Sequence, residues 1–266
     1  MDEYTLRQTL SDIPLGGLRF FARTASTNDI ALQWASGSAP DLAMVFAEEQ
    51  TAGRGRGGHS WFTPPGAALA FSLILKPLPG EEQAIARFSA LGALSVCEAL
   101  GALDLNPEIK WPNDVLLNRK KVCGVLPEAV WVGGRLESIV LGVGLNVHSG
   151  AVPPGKVAFP ATSVENEAGQ AGKSGATRPI DRFALLRQIL QALMYWRGLV
   201  ATEIFLHAWE TRLAFFDEQV EIFNEGKPSV VGKIAGLEKD GSLRLKTGSG
   251  SVQTVQYGEV HLRPVV

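Results

Sequence analysis

The segment Glu48-Glu49-Gln50-Thr51-Ala52-Gly53-Arg54-Gly55-Arg56-Gly57-Gly58-His59-Ser60-Trp61 concentrates the chemistry of this chain. Gly53, Gly55, Gly57 and Gly58 carry no Cβ, so their backbone amides can come close to an anion. Arg54 and Arg56 add two permanently charged guanidinium forks, and Trp61 adds a flat ring able to cover a base. The combination suits an acyl-adenylate or another phosphate ester. A solvated glycine-rich surface loop is the ordinary alternative. The same residues satisfy G-x-G-x-x-G at Gly53, Gly55 and Gly58, but a dinucleotide fold needs a helix directly afterwards. Ser60 to Gly66, with Pro64-Pro65, cannot begin that helix cleanly. Gly172-Lys173-Ser174 has the ending of a phosphate-binding P-loop, but the required upstream glycine falls on Glu167.

Three further segments carry polar groups of defined type. Lys110-Trp111-Pro112-Asn113-Asp114 is followed by Lys121 and Gly124. A lysine beside a carboxylate under activation can neutralise the charge that develops on phosphorus or hold the acyl oxygen. Gly124 would leave room for a ligand against a strand. Taken singly, each lysine is as readily an exposed strand residue and Asn113-Asp114 a turn. Gly142-Val143-Gly144-Leu145-Asn146-Val147 places alternate glycines in a strand, which marks close approach of another group or a bulge. Asn146 offers a donor and an acceptor together, which suits an adenine edge. Ser26-Thr27-Asn28 reads as a helix cap, and a cap leaves backbone amides near a helix N-terminus where an anion can bind.

His59, His148, His207 and His261 have no metal-ligand spacing, so no metal ligands are assigned. Cys97 and Cys123 form neither CxxC nor a zinc pattern, and Cys123 reads as a core or wall residue. Two such cysteines argue against a disulfide framework and fit a reducing compartment. No Ser-His-Asp motif is visible.

The elements that must position these groups follow from periodicity. A helix is expected over Asp29–Ala35, a strand over Asp41–Ala47, the Gly/Arg loop over 52–60 and a strand over Ala68–Leu75. Glu81–Leu100 has helical spacing of Ile85, Phe88, Leu91, Val96 and Leu100. Ile109–Trp111 and Val115–Leu117 read as strands, and residues 122–147 as two more joined at Gly133-Gly134. Residues 1–19 form a short lead-in, too few for a DNA-binding helix-turn-helix domain with its own core. Residues 149–179, rich in Gly, Pro, Ser and Thr, are expected to be irregular. Asp181 caps a helix through Leu193, and a second helical run reaches about Leu213. Strands at Gln219–Phe223, Val230–Ala235, Ser242–Lys246 and Val252–Gln256, with an Asp240-Gly241 turn, suggest a small β-barrel.

The 266 residues suffice for one large domain and one small one, and 45% hydrophobic content is ordinary for a globular chain. The net charge of −2 supplies no global basic field for nucleic acid. The acidic N-terminal segment is not a signal peptide and no apolar run is long enough to span a bilayer. The expectation is a soluble, cytoplasmic protein.

Taken in order, these segments resemble the biotin protein ligase family. Its pattern is Ser-Thr-Asn, then Gln-x-x-Gly-Arg-Gly-Arg ending in Trp, then Lys-Trp-Pro-Asn-Asp with a following Lys and Gly, then Gly-x-Gly-x-Asn. The resemblance covers residues 20–147 and continues loosely through Phe159-Pro160-Ala161-Thr162-Ser163 into the C-terminal β-segment. It implies an α+β fold: a class II tRNA-synthetase-like, largely antiparallel mixed sheet flanked by helices (residues 1–215), followed by an SH3-like β-barrel (216–266). It implies biotin contacts at Ser26, Thr27, Asn28, Gln50, Arg54, Gly55, Arg56, Lys121 and Gly124. ATP or adenylate contacts are implied at Gly53, Trp61, Lys110, Asn113, Asp114 and Asn146. Catalytic roles are implied for Lys121, Arg54 and Arg56. Biotin and ATP would be substrates, with Mg²⁺ held largely by phosphates, and the carrier would be a biotin carboxyl carrier protein.

The resemblance also allows a homodimer through the sheet edge. Bifunctional members carry an N-terminal DNA-binding domain that this sequence lacks, so no DNA partner is expected. Gly57 and His59 stand where many members have further basic residues, which predicts a less cationic loop. A lipoate or octanoate ligase on the same fold is an alternative, although those families commonly show Arg-x-x-Gly-Gly-Gly, absent here. A biotin-binding protein without turnover is another.

Overall fold

A computed structural model describes residues 2–78, 81–155, 157, 159–171, 180–224, 227–256 and 260–265. The lead-in is more ordered than its composition suggests. Asp2 accepts from the Thr5 amide and caps α1 (Glu3–Thr9), whose Leu6 is buried, and β1 (Gly17–Phe21) follows. Next come α2 (Thr27–Ala35), β2 (Ala43–Ala47) and β3 (Ala68–Leu75). The expected helix over Glu81–Leu100 is divided. Residues Glu81–Arg87 form a 3₁₀ turn, where the Glu81 carboxylate folds back onto the Leu78 amide at 2.7 Å. The α-helical part, α3, is Phe88–Gly101.

After α3 run β4 (Pro107–Lys110), β5 (Asp114–Leu117), β6 (Lys120–Val132) and β7 (Arg135–Asn146). Gly133 and Gly134, at φ 56° and 79°, make the anticipated hairpin turn, which requires two left-handed residues. The seven strands form one sheet in the order β1-β2-β3-β7-β6-β5-β4. Only the β1–β2 pair is parallel; the others are antiparallel.

Period-two alternation divides the sheet's side chains between two layers. On β2, Ala43 and Val45 join Ala31 and Ala35 of α2 on one face. Met44 and Phe46 join the larger core on the other, with α3 and α5 (Arg182–Arg197). Helix α3 is apolar around most of its surface, as a largely enclosed helix must be, with Glu98 exposed. Its Leu91, Leu94 and Leu100 are fully buried, each contributing about 1.5–3 kcal/mol relative to exposure.

The stretch 149–179, expected to be irregular, contains α4 (Val164–Ala171). Ser163 accepts from the Asn166 amide, and Glu165 and Glu167 lie in the first turn, where carboxylates favour a helix. Gly172-Lys173-Ser174 lies outside the described residues. Asp181 caps α5, which runs to Arg197 rather than ending at Leu193, and α6 (Glu203–Glu210) follows. No helix among the described residues is long and apolar enough to cross a membrane.

The C-terminal segment is a five-stranded antiparallel sheet of β8 (Gln219–Asn224), β9 (Lys227–Leu237), β10 (Leu243–Lys246), β11 (Val252–Val255) and β12 (Val260–Pro264), ordered β11-β10-β9-β8-β12. The β12 strand was not anticipated from pattern. The expected Asp240-Gly241 turn is present, with Gly241 at φ 87° and the Ser242 amide donating to Asp240. Two buried side chains of the larger layer, Trp111 and Arg87, reach toward this sheet. Trp111 Nε1 donates to the Gly241 carbonyl at 3.0 Å. The buried Arg87 guanidinium donates to the carbonyls of Val200, Thr202 and Lys239.

Candidate active site

The α2-side face of the sheet becomes unusually shallow near its middle. Gly124 of β6 pairs with Gly144 of β7, and Gly144 with Ala70 of β3. One pleat along, Gly142 lies between Leu126 and Ser72. Small side chains at these registered positions leave a depression that larger ones would fill. Two neighbours press into it. A Cβ on Gly142 would fall 2.1 Å from Asn28 Oδ1, and one on Gly144 would fall 2.3 Å from Trp61 Nε1. The alternate glycines therefore mark close approach, by Asn28 and by the Trp61 indole. The room expected at Gly124 is also bordered by that indole, 3.2 Å from where a Cβ would be.

Above this floor lies a cleft of about 720 Å³. Its lining includes every residue for which a biotin, adenylate or catalytic role was implied except Gly53. Gly53 serves the loop's backbone instead: its carbonyl accepts from the Trp61 amide at 2.7 Å, and a Cβ there would meet Trp61 O at 2.5 Å. The Gly/Arg loop is a closed hairpin, not an open cradle of amides. Gly55 N donates to His59 O at 2.6 Å, and Gly57 and Gly58 turn the chain at φ 58° and 73°.

The two arginines of the loop differ. Arg54 is held by carboxylates: Nη1 and Nη2 reach Glu128 at 3.0 and 2.7 Å, and Nε reaches Asp29 at 2.9 Å. Partial burial works to lower its pKa, but Glu128 and Asp29 raise it above the ordinary arginine value. Arg56 donates to Asn113 Oδ1 at 3.0 Å, while Asn113 Nδ2 donates to the Val125 carbonyl. The Asn113 turn thus fixes Arg56 relative to β6.

Lys121 and Lys110 share one carboxylate. Lys121 Nζ stands 2.6 Å from Asp114 Oδ1, and Lys110 Nζ 3.5 Å from Oδ2. Burial would raise the Asp114 pKa, but the two ammonium groups hold it below the usual carboxylate value. Burial lowers the pKa of Lys110 against the attraction of Asp114, and Lys121 adds to the lowering. Lys121 Nζ also lies 5.4 Å from the Trp61 ring centroid, within cation–π range.

At the α2 end, Ser26 is the N-cap, with its side chain accepting from the Asp29 amide at 3.5 Å. Gln50 Oε1 accepts from Thr27 N and Oγ1 at 2.8 and 3.2 Å, and its Nε2 donates to Thr63. Buried Ser72 bonds to Thr27 Oγ1 and Asn28 Oδ1 at 2.8 and 2.5 Å. Asn28 Nδ2 donates to Glu128 Oε2 at 2.7 Å. Asn146 is buried at the far end and donates to the Thr162 carbonyl at 3.0 Å.

Glu128, Asp29 and Ser72 were not singled out from sequence. For Glu128 a signal existed: Gly124, Leu126 and Glu128 share one face of β6, so a carboxylate was due to point toward the same side as the glycine. Cys123 faces the other way, is fully buried, and burial pushes its thiol well above the ordinary value, which fits a core residue. No group of three or more His, Cys, Asp or Glu side chains among the described residues could hold a metal ion.

Residues 20–146 match the Biotin/lipoate A/B protein ligase family, and residues 215–263 match the Biotin protein ligase C terminal domain. The chain is 37% identical to a biotin--[acetyl-CoA-carboxylase] ligase of Paracoccus denitrificans, over 90% of this chain and 98% of that one. It is 31% identical to the enzyme of the same name from Mycobacterium tuberculosis, over 99% and 96%. A solved biotin protein ligase from Aquifex aeolicus, in complex with biotin and ATP, superposes with a TM-score of 0.77 at 25% identity, covering 94% of this chain and 99% of that one. With the sequence motifs gathered on one glycine floor, the chain belongs to the biotin protein ligase family.

Proposed function

We propose that this chain is an ATP-dependent biotin protein ligase that forms biotinyl-5′-AMP and transfers the biotinyl group to a lysine of a cytoplasmic biotin carboxyl carrier protein. The observation that carries the reading is the convergence of Lys121, Arg56 and Trp61 with Thr27 and Gln50 on one cleft. In the first step a biotin carboxylate oxygen attacks the α-phosphorus of ATP. The bond from that phosphorus to the bridging oxygen breaks, and pyrophosphate leaves with the electron pair. In the second, the carrier amine attacks the acyl carbon, AMP leaves, and the new amide nitrogen gives up a proton.

Thr27, held by Gln50 and Ser72, orients the bicyclic head of biotin at the Gly142 end of the floor. Lys121 is placed for the carboxylate. When its ammonium turns from Asp114 to the substrate, Lys110 remains to compensate Asp114, so the buried carboxylate is not left alone. Arg56, braced by Asn113, neutralises charge developing on the transferring phosphate. Arg54, with Glu128 and Asp29, anchors the loop that closes over the adenylate. Trp61 and Asn146 bound the adenine side. Asp114 is the one carboxylate among the described lining residues and is already paired with two lysines. These side chains do not make a protein-held Mg²⁺ site, so the ion would enter as part of the MgATP substrate.

The test is ATP–pyrophosphate exchange with biotin or lipoate as the acid. Exchange that depends on biotin and is at background with lipoate is expected; exchange with lipoate alone would replace this reading with a lipoate ligase.

A further inference from the structure

Behind the cleft wall, outside its lining, a buried carboxylate organises the backbone of Lys121. Glu167 of α4 is 2% exposed. It accepts from Thr162 Oγ1 at 2.6 Å and from Asn118 Nδ2 at 2.5 Å, and pairs with Lys120 Nζ at 3.4 Å. Burial would raise its pKa, but these three donors hold it below the ordinary glutamate value, so it is ionised at neutral pH.

The partners of Glu167 surround Lys121. Asn118 opens the β5–β6 turn, and Lys120 is the first residue of β6, directly before Lys121. Thr162 belongs to a strap, Pro160–Thr162, that takes both polar backbone groups of Lys121. Lys121 N donates to Pro160 O at 2.7 Å, and Thr162 N donates to Lys121 O at 2.9 Å. The Thr162 carbonyl in turn accepts from Asn146. One carboxylate therefore ties the turn before Lys121 to the strap across it. A buried charge with this many charge-assisted bonds fixes geometry rather than simply adding stability.

We propose that Glu167 is a positioning residue for the ligation reaction, setting the placement of the Lys121 backbone, and hence of its ammonium, through Thr162, Asn118 and Lys120. The proposal rests on the reading of Lys121 given above. It touches neither substrate nor the reacting atoms, so its loss acts on the chemical step through Lys121 and leaves substrate capture largely unchanged.

The experiment is a double-mutant cycle read by biotin-dependent ATP–pyrophosphate exchange. Glu167→Ala is expected to lower kcat about tenfold, a fraction of the effect usual for removing a transition-state contact outright, with the KM values for biotin and ATP within about threefold. Glu167→Gln, which can still accept from Thr162, is expected to recover most of the loss. In a Lys121→Ala background, Glu167→Ala is expected to cause no further loss, because the group it places is gone. Thr162→Val removes one of the same bonds without unpairing an ammonium, and it carries the test through the same cycle if Glu167→Ala does not fold. Additive losses in the double variant, or a kcat for both Glu167→Ala and Thr162→Val equal to that of the unsubstituted protein, would overturn the proposal. Undiminished exchange by Lys121→Ala, or no exchange by the unsubstituted protein, would instead overturn the ligase reading and this inference with it.

Discussion

Arg54 and Glu128 meet fork to fork, at 3.0 and 2.7 Å, and the same Glu128 carboxylate also accepts from Asn28. One side chain of the sheet thus links the Gly/Arg loop to the wall of the pocket. The pair is partly exposed, with Arg54 at 37% and Glu128 at 26% of full side-chain exposure, so screening limits its contribution to about 0.5–1 kcal/mol. That corresponds to roughly a two- to fivefold change in local opening of the loop. Glu128→Ala is expected to raise the rate of tryptic cleavage after Arg54 and Arg56 by that factor, with unchanged cutting elsewhere. Equal cleavage rates in both proteins would show that Asp29 alone secures the loop.

Asp114 connects stability to pH. Its folded-state pKa lies below the ordinary 3.8, so its contribution is fully present above that value. It is lost as pH falls through the lowered, folded value. Asp114→Asn resembles the protonated form. Thermal unfolding is therefore expected to show the variant well below the parent at neutral pH, because two ammonium groups lose their partner. The two Tm curves should converge as pH falls below about 3.8. A gap that stays constant into acid would mean that Asp114 is not the carboxylate stabilised by Lys121 and Lys110.

Gly142→Ala places a methyl where Asn28 Oδ1 now lies. Asn28 cannot yield freely, since Ser72 and Glu128 hold it at 2.5 and 2.7 Å. Breaking those bonds or shifting the strand costs about 1–3 kcal/mol, equivalent, where biotin needs Asn28 in its present place, to roughly a 5- to 150-fold weakening of biotin binding. Titration calorimetry with biotin reads this directly. An unchanged affinity would remove Asn28 and the Gly142 end of the floor from the biotin site.

Trp111 joins the two sheets. It is 1% exposed, and its indole N–H reaches the Gly241 carbonyl at 3.0 Å. Trp111→Ala is expected to cost about 3–5 kcal/mol, the usual range for removing a buried large aromatic. Trp111→Phe keeps most of the ring and loses mainly the hydrogen bond, for about 1–3 kcal/mol. Urea unfolding of the three proteins gives the order. A Trp111→Phe variant as labile as Trp111→Ala would place the whole contribution in the N–H bond.

Much of the site was readable because it is written in short runs. The cap at Ser26, the Gly/Arg loop, the Lys110–Asp114 turn and the Gly142–Asn146 strand are each continuous, so residue type and spacing carry information. What sequence could not supply was the partner of each group. Arg54 meets Glu128 across 74 positions, and Asn28 meets it across 100; neither pairing has a local signature. Composition misled at 149–179, where glycines and prolines flank α4 and conceal a capped helix whose Glu167 turns inward. It misled also at Gly53, which closes the hairpin behind the cleft, and in part at Gly55, which lines the cleft but spends its amide on His59. Helix α3 was legible as apolar but not in extent, because Glu81 bonds back onto Leu78 and holds the preceding turn in 3₁₀ form.

Intact-mass spectrometry of a biotin carboxyl carrier domain incubated with this protein, biotin, ATP and Mg²⁺, alongside its Lys121→Ala variant, reads the transfer itself. One added biotinyl group on the carrier is expected with the unsubstituted protein. With a folded Lys121→Ala variant, transfer slowed by about tenfold to a hundredfold or more is expected. A carrier left unmodified by the unsubstituted protein, or modified equally fast by both, would contradict the ligase role of the Lys121 cleft.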